Sequence, residues 1–200
     1  MFTLEPASGT AVQLAGIVDM TTLNITGGEK DGEGIAMGSG GRAWKQGFQG
    51  DYTIEFDSYT VGVHATGGNS MFSIAQFFDG QALDTTEPIK TGNGDFTTSK
   101  NMMSKYIRYR ITFLQTEKTA AASAVEAIAS PLWAYRLSFA NARITKYNYS
   151  FADGVWKISV ALKVPAFKKD ATSNRQEESS DGSDAGGLSA LGAYTNANNW

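Results

Sequence analysis

Apolar and polar residues alternate along much of the chain with a period of two, the spacing that puts successive side chains on opposite faces of a β-strand. The pattern is cleanest from Gly154 to Phe167. There Trp156, Ile158, Val160, Leu162 and Val164 share one face, and Lys157, Ser159, Ala161 and Lys163 share the other. Residues 133–151 are rich in aromatic and β-branched side chains and alternate less strictly. They place Leu137, Phe139, Arg143, Thr145, Tyr147, Tyr149 and Phe151 on one side. Asp153-Gly154 separates the two runs. An Asp-Gly pair between alternating strands fits a type I′ turn, whose central residues need positive φ, so 133–167 reads as one long hairpin. Further strands are expected over 51–64, with Tyr52, Ile54 and Phe56 against Thr53, Glu55 and Asp57, and over 105–116, with Ile107, Tyr109, Ile111 and Phe113 against Arg108, Arg110 and Thr112. An earlier strand is expected over 12–26 and a short one over 71–78.

One segment has helical spacing: Thr119 to Ala129, dense in alanine, with Val125, Ile128 and Ala129 on one side and Pro131 just beyond its end. Two long polar or glycine-rich stretches, 27–50 and 80–104, read as loops, each either a mobile lid or an arm toward a neighbouring subunit. After Phe167 the composition turns polar and then ends in an apolar stretch holding Leu188, Leu191, Tyr194 and Trp200. The fold class is therefore mainly β: a β-sandwich or barrel with long strands, one short flanking α-helix, long loops and a C-terminal arm. A β domain over 1–167 precedes a polar spacer and docking arm over 168–200.

Composition narrows the chemistry. The 200 residues include one histidine and no cysteine, which excludes disulfides, thiolate zinc sites and cysteine nucleophiles. A formal net charge of −3 leaves no basic footprint of the kind that grips duplex nucleic acid. The acidic run Glu29, Asp31, Glu33 lacks calcium-loop spacing, and Gly38, Gly40 and Gly41 fit neither phosphate-binding glycine motif. His64 has no serine or carboxylate beside it in a nucleophile motif, so no cofactor, metal or catalytic residue is expected. Arg108 and Arg110 project opposite to Tyr109 and read as ion-pair partners across a subunit interface. The amino-terminal stretch lacks a secretory pattern and no run is long and apolar enough to span a membrane, so assembly in a cytoplasm is expected.

The order of parts carries a resemblance. A strand ending in ITGGEKDGEG, the glycine-rich SGGRAWKQG, the strand GDYTIEFDSY, an alanine-rich segment and the hairpin LSFANARITKYNYSFADGVWKISVALKVPAF together resemble the tail tube proteins of tailed bacterial and archaeal viruses. The resemblance covers the layout of about residues 12–170 and is most specific in Leu137 to Phe167. It implies a non-enzymatic virion protein that self-assembles into stacked hexameric rings, forming a hollow tail tube through which DNA passes without tight binding. Implied partners are further copies, the tape measure, terminator and tip or baseplate proteins, and the implied location is the virion tail. Glu55 and Asp57 become candidates for the channel lining. Arg42, Trp44, Arg108, Arg110, Leu188, Leu191, Tyr194 and Trp200 become candidates for contacts between subunits. Other readings are a secretion-system tube ring, a capsid decoration protein and, from a different class, a ligand-binding β-barrel or β-rich enzyme.

Overall fold

The computed structural model describes residues 1–6, 14–18, 22–38, 40–59, 108–118, 121, 123–152, 154–168, 170–181 and 187–195. The expected strand at 71–78, the arm at 80–104, His64 and Trp200 lie outside them. Ten strands are described: β1 (Phe2–Pro6), β2 (Leu14–Val18), β3 (Asn24–Gly27), β4 (Lys30–Ala36), β5 (Arg42–Gln49), β6 (Tyr52–Tyr59), β7 (Tyr109–Thr116), β8 (Trp133–Ala152), β9 (Val155–Val164) and β10 (Arg175–Asp181). All pairings are antiparallel. β1 pairs β2 and β7, β7 pairs β8, β8 pairs β9, β9 pairs β6, and β6 returns to β2, so the ladder closes on itself as a barrel. β10 lies along the first half of β8, and β3 along the start of β6, as flaps outside the ring.

A barrel this narrow is filled by side chains and encloses no channel of its own. Phe2 and Leu4 of β1, Tyr52, Ile54 and Phe56 of β6, Tyr109, Ile111 and Phe113 of β7, and Ile158, Val160, Leu162 and Val164 of β9 are buried together. Phe56 is the aromatic centre, 4.9 Å from Phe2 and edge-on to Phe113 at 5.5 Å between centroids. The inward faces expected for 51–64, 105–116 and 154–167 are these faces, as far as the described residues reach.

β8 departs from simple alternation. The sequence placed Leu137, Phe139, Arg143, Thr145 and Tyr147 on one side, but the register slips between the pairs Tyr109↔Ala142 and Ile111↔Phe139. The extra residue is Asn141, at φ 60°, with Ala140 beside it. Beyond this bulge Ala142 and Ile144 turn inward, and Arg143 turns out. A second slip between Ile144 and Lys146 restores the phase, so that Tyr147 packs on the core opposite Val160. Bulges bend and twist a long strand, which lets one 20-residue ribbon serve two parts of a closed barrel. At the far end Gly154 has φ 79°, as the Asp-Gly turn requires.

Four further expectations change. Residues 121 and 123–129 form no helix; they run in turns to an isolated bridge between Ile128 and Leu188. Helices shorter than roughly 12–15 residues are marginal without packing support, and here other segments take the backbone groups. Ala124 N donates to Thr3 Oγ1 at 2.7 Å, and Val125 O accepts from Leu191 N at 2.9 Å. The expected strand over 12–26 is two strands, β2 and β3, and β1 was not anticipated because FTLEP is too short to display a period. The stretch 27–50 is a paired ribbon, β4 with β5. The polar run after Phe167 contains β10, whose RQEESSD needs no apolar face because it adds to an existing sheet through its backbone.

The outer face of β1, β7 and β8 is buried as well, and it is polar. Thr3, Glu5, Thr112, Arg136, Ser138 and Ser180 are all almost inaccessible. They are covered by residues 121–132 and by the stretch 187–195, which bring Leu114, Ala124, Ile128, Ala134 and Leu188 into a second small core.

Candidate functional site

The surfaces able to meet another molecule are a projecting ribbon, a charged sheet face and a docked strap. The ribbon comes first. Among the described residues β4 and β5 pair only with each other, and every described side chain from Gly32 to Gly38 is exposed, Ile35 at 46% and Met37 at 49%. Among the described residues it is fastened at its base. Gly28 N donates to Gly50 O and Gly50 N to Glu29 O, while Gln49 Nε2 donates to Gly28 O and to the Tyr52 hydroxyl, both at 2.9 Å. Arg42 and Trp44, expected at subunit contacts, are carried on β5 opposite Ala36 and Gly34. An isolated two-stranded ribbon is marginal in water. The β8–β9 hairpin also ends in exposed aromatics, Tyr149 at 36% and Phe151 at 62%.

The charged face is the outside of β6, β9 and the second half of β8. Glu55 is exposed, and Asp57 pairs with Lys157 at 2.5 Å while its backbone N donates to Thr22 Oγ1. A cleft of ≈ 210 Å³ opens among Thr22, Glu55, Asp57, Lys146, Asn148 and Ser159. The two carboxylates that were candidates for the channel lining thus share their face with Lys146, Lys157, Lys163 and the outward Arg143. Positive charge predominates there.

The strap is residues 187–195, and it binds its own domain. Leu188 is buried and exchanges backbone hydrogen bonds with Ile128, both at 2.9 Å, and Leu191 N donates to Val125 O. Gly187 makes the closest approach: φ is 57° and a Cβ there would collide with the Ile128 carbonyl, so only glycine fits. Tyr194 sits at the β8 bulge, where its hydroxyl accepts from Asn141 N at 2.9 Å and lies 3.1 Å from Asn141 Oδ1. Two arginines hold the strap to the sheet. Arg110 donates to buried Glu5 and to Gly192 O, each at 2.6 Å, and its guanidinium lies 5.6 Å from the centre of the Tyr194 ring. Arg136, fully buried, donates to Glu178 at 3.1 Å, to Ser189 O at 2.7 Å and to Glu126 O.

Among the residues expected at subunit contacts, the structure therefore gathers Arg110, Leu188, Leu191 and Tyr194 into one intramolecular site. Arg110 pairs with Glu5 of the same chain. Arg108 lies at the edge of that site, and burial, then the charge of Arg143, lowers its guanidinium pKa. Sequence reasoning missed Arg136, Glu5 and Asn141. Arg136 falls on the polar alternate of β8 and looks solvent-facing until the strap covers it. Among the described residues no group of three or more acidic or histidine side chains is placed to hold a metal ion, and no helix is long and apolar enough to cross a membrane.

No family model and no curated protein matches the chain. Solved structures similar to it include the sheath-tube complex of an extracellular contractile injection system in its extended state, with 10% sequence identity, 89% of this chain and 88% of that chain covered, and a TM-score of 0.43. The sheath/tube terminator of such a system is similar at 12% identity, with 88% and 92% covered and a TM-score of 0.43. A third is the tube-terminating cap of the anti-feeding prophage, at 9% identity, with 90% and 88% covered and a TM-score of 0.41. Likeness of this degree assigns no family.

Proposed function

We propose that the protein is a non-enzymatic structural component of a tail-like tube, assembling with its own copies into stacked hexameric rings around a channel that passes DNA. The observation that carries this reading is the β4–β5 ribbon. It extends from a filled barrel, keeps Ile35 and Met37 in solvent and, among the described residues, forms strand pairs only within itself beyond the bonds at its base. Exposed apolar residues on an unsupported ribbon are an aggregation liability unless a defined partner covers them. A ring supplies that partner by symmetry, each subunit giving its ribbon to the next. The resemblance of residues 12–170 to tail tube proteins supports the same reading and names the further partners: tape measure, terminator and tip or baseplate components of a tail.

Negative-stain microscopy and sedimentation of the purified full chain test it. Rings with six-fold symmetry, or tubes lengthening with concentration, are expected. A protein that stays monomeric at about 100 µM, far above the micromolar affinities of ordinary transient contacts, overturns the proposal. Replacing Ile35 and Met37 together by serine is expected to raise the assembly concentration at least about tenfold with the fold unchanged, since the two side chains forfeit about 1.5–3 kcal/mol each when fully buried at an interface. Circular dichroism verifies the fold.

A further inference from the structure

The cleft on the outer sheet face has small side chains for a floor and longer polar ones on both sides. Ala161 and Ser159 belong to the outward face of β9, the middle strand of three. Lys146 and Asn148 of β8 lie directly opposite them on one side, and Glu55 and Asp57 of β6 on the other. Residues paired directly across strands share a face, so two rows result: Lys146, Ala161, Glu55 and then Asn148, Ser159, Asp57. The cleft of ≈ 210 Å³ opens over them.

Of the charges that line it, Asp57 is already committed, because it pairs with Lys157, the next outward residue of β9 past Ser159. Lys163 stands in the row beyond Ala161, outside the lining. Glu55 and Lys146 are exposed and, among the described residues, neither side chain has a hydrogen bond or ion pair; the same holds for Asn148 and Ser159. Acid and base face each other across β9 with their backbones about 10 Å apart, twice the spacing of neighbouring strands.

Opposite charges on facing walls decide what the cleft can take. A neutral molecule strips water from Glu55 and Lys146 and returns no charge to either. A simple anion satisfies Lys146 but is repelled by Glu55, and a simple cation meets the reverse. A zwitterion satisfies both at once, while the Asn148 amide and the Ser159 hydroxyl can each donate to or accept from it. Two charge-assisted contacts of about 2.8 Å within the ~10 Å span leave about 4 Å between the charges of the ligand itself, the reach of a short amino acid.

We infer that the cleft between β6, β9 and β8 binds a small amino-acid zwitterion, its ammonium on Glu55 and its carboxylate on Lys146. Every group comes from one chain, so the site is complete in a single copy and stands apart from the tube reading.

Saturation-transfer NMR, observed on the ligand and so applicable to a single copy or an assembly alike, tests it on the full chain. The ligands are glycine, β-alanine, γ-aminobutyrate and ε-aminocaproate, with ethylamine, acetate and glucose as controls. The best amino acid is expected to bind with a Kd of about 1 mM, the scale for a ligand of so few atoms, and the controls at least about tenfold more weakly. Affinity is expected to peak at β-alanine or γ-aminobutyrate. Glu55→Gln and Lys146→Gln are each expected to weaken binding at least about tenfold, the loss of one charged hydrogen bond. Ala161→Ile raises the floor with a residue suited to a strand and is expected to abolish binding with both charges in place. All three substitutions sit on the outward face, and circular dichroism verifies the fold. Amine or acid alone binding as well as the amino acids, affinity indifferent to chain length, or wild-type binding by Ala161→Ile each overturns the inference. So does the absence of binding by all four amino acids up to about 20 mM.

Discussion

Replacing Arg136 by alanine is expected to free residues 187–195 from the sheet and to lower the unfolding free energy by about 3–5 kcal/mol, chiefly through the buried carbonyls that lose their donor. Arg136 alone reaches four parts of the chain: its own strand β8, Glu178 of β10, the Glu126 carbonyl of the 121–132 segment and the Ser189 carbonyl of the strap. Alanine leaves both carbonyls without their donor, at about 1–3 kcal/mol for each that stays buried. Glu178 costs less because it is 31% exposed and can rehydrate. Lysine restores the charge without the planar fork and is expected to recover only part of the loss. Methionine separates anchoring from packing. Arg136 Nε has no hydrogen-bond partner among the described residues, so its burial is already imperfect, and an apolar side chain of similar volume is expected to cost about 1–2 kcal/mol globally while still releasing the strap. Denaturant unfolding gives the first quantity and amide exchange at Leu188 and Leu191 the second. Unchanged protection of those two amides in the alanine variant would show that the strap is held by Leu188 and Tyr194 without the arginine.

The barrel core was legible in the sequence wherever alternation was strict. On β6 and β9 the pattern of Tyr52, Ile54 and Phe56, or of Ile158, Val160, Leu162 and Val164, is one face of a sheet whose other face meets solvent, the condition under which a period of two is informative. On β7 and the first half of β8 the pattern gives the inward face but not the fate of the other, because both faces are buried there. Thr112, placed opposite the apolar face, does point away from the core, as do Thr3 and Ser138, but into a second covered layer where Ser138 Oγ meets Thr112 Oγ1 at 3.2 Å. The segments that cover this layer, 121–132 and 187–195, owe their conformation to distant partners such as Thr3 and Val125, so local spacing could not reveal them. The same holds for the candidate contacts. Arg110 was recognised as an ion-pair partner, but whether its carboxylate belongs to a neighbour or to Glu5, 105 residues away in the same chain, is decided by topology. Nor does the run 27–50 advertise β4 and β5. Its glycines resemble a loop, and only the register of Gly34 with Trp44 and Ala36 with Arg42 shows a ribbon.

The residue whose replacement best exposes this logic is Asn141. It is fully buried, sits at φ 60° in the bulge of β8, and donates from Nδ2 to Asn174 Oδ1 at 2.7 Å. Asn174 in turn donates to Pro165 O at 2.8 Å, and its carbonyl accepts from Ala140 N, tying the bulge to the end of β9 and the start of β10. Asparagine suits the place because it tolerates the left-handed region and satisfies neighbours that the bulge leaves without ladder partners. Two substitutions divide these roles. Alanine loses the side-chain bonds to Asn174 and Tyr194, about 1 kcal/mol each, and keeps asparagine's Cβ at positive φ without the local polar bonding that offsets its cost of about 1–2 kcal/mol, so a total near 3–4 kcal/mol is expected. Glycine loses the same bonds without the conformational penalty, and although it gains freedom in the unfolded chain its expected cost is about 2–3 kcal/mol. Alanine should thus be worse by about 1 kcal/mol in denaturant unfolding, the reverse of their order in an ordinary strand, where glycine is the poorer residue. Should glycine prove the more destabilising, the bulge does not depend on the left-handed conformation and the strand has re-registered. Re-registration is itself measurable: a one-residue slip would send Ala142 and Ile144 from the core to solvent, and their methyl resonances would lose their contacts with the barrel aromatics. The bulge keeps its place because Ala142 and Ile144, which lie between it and the second slip on β8, depend on that phase.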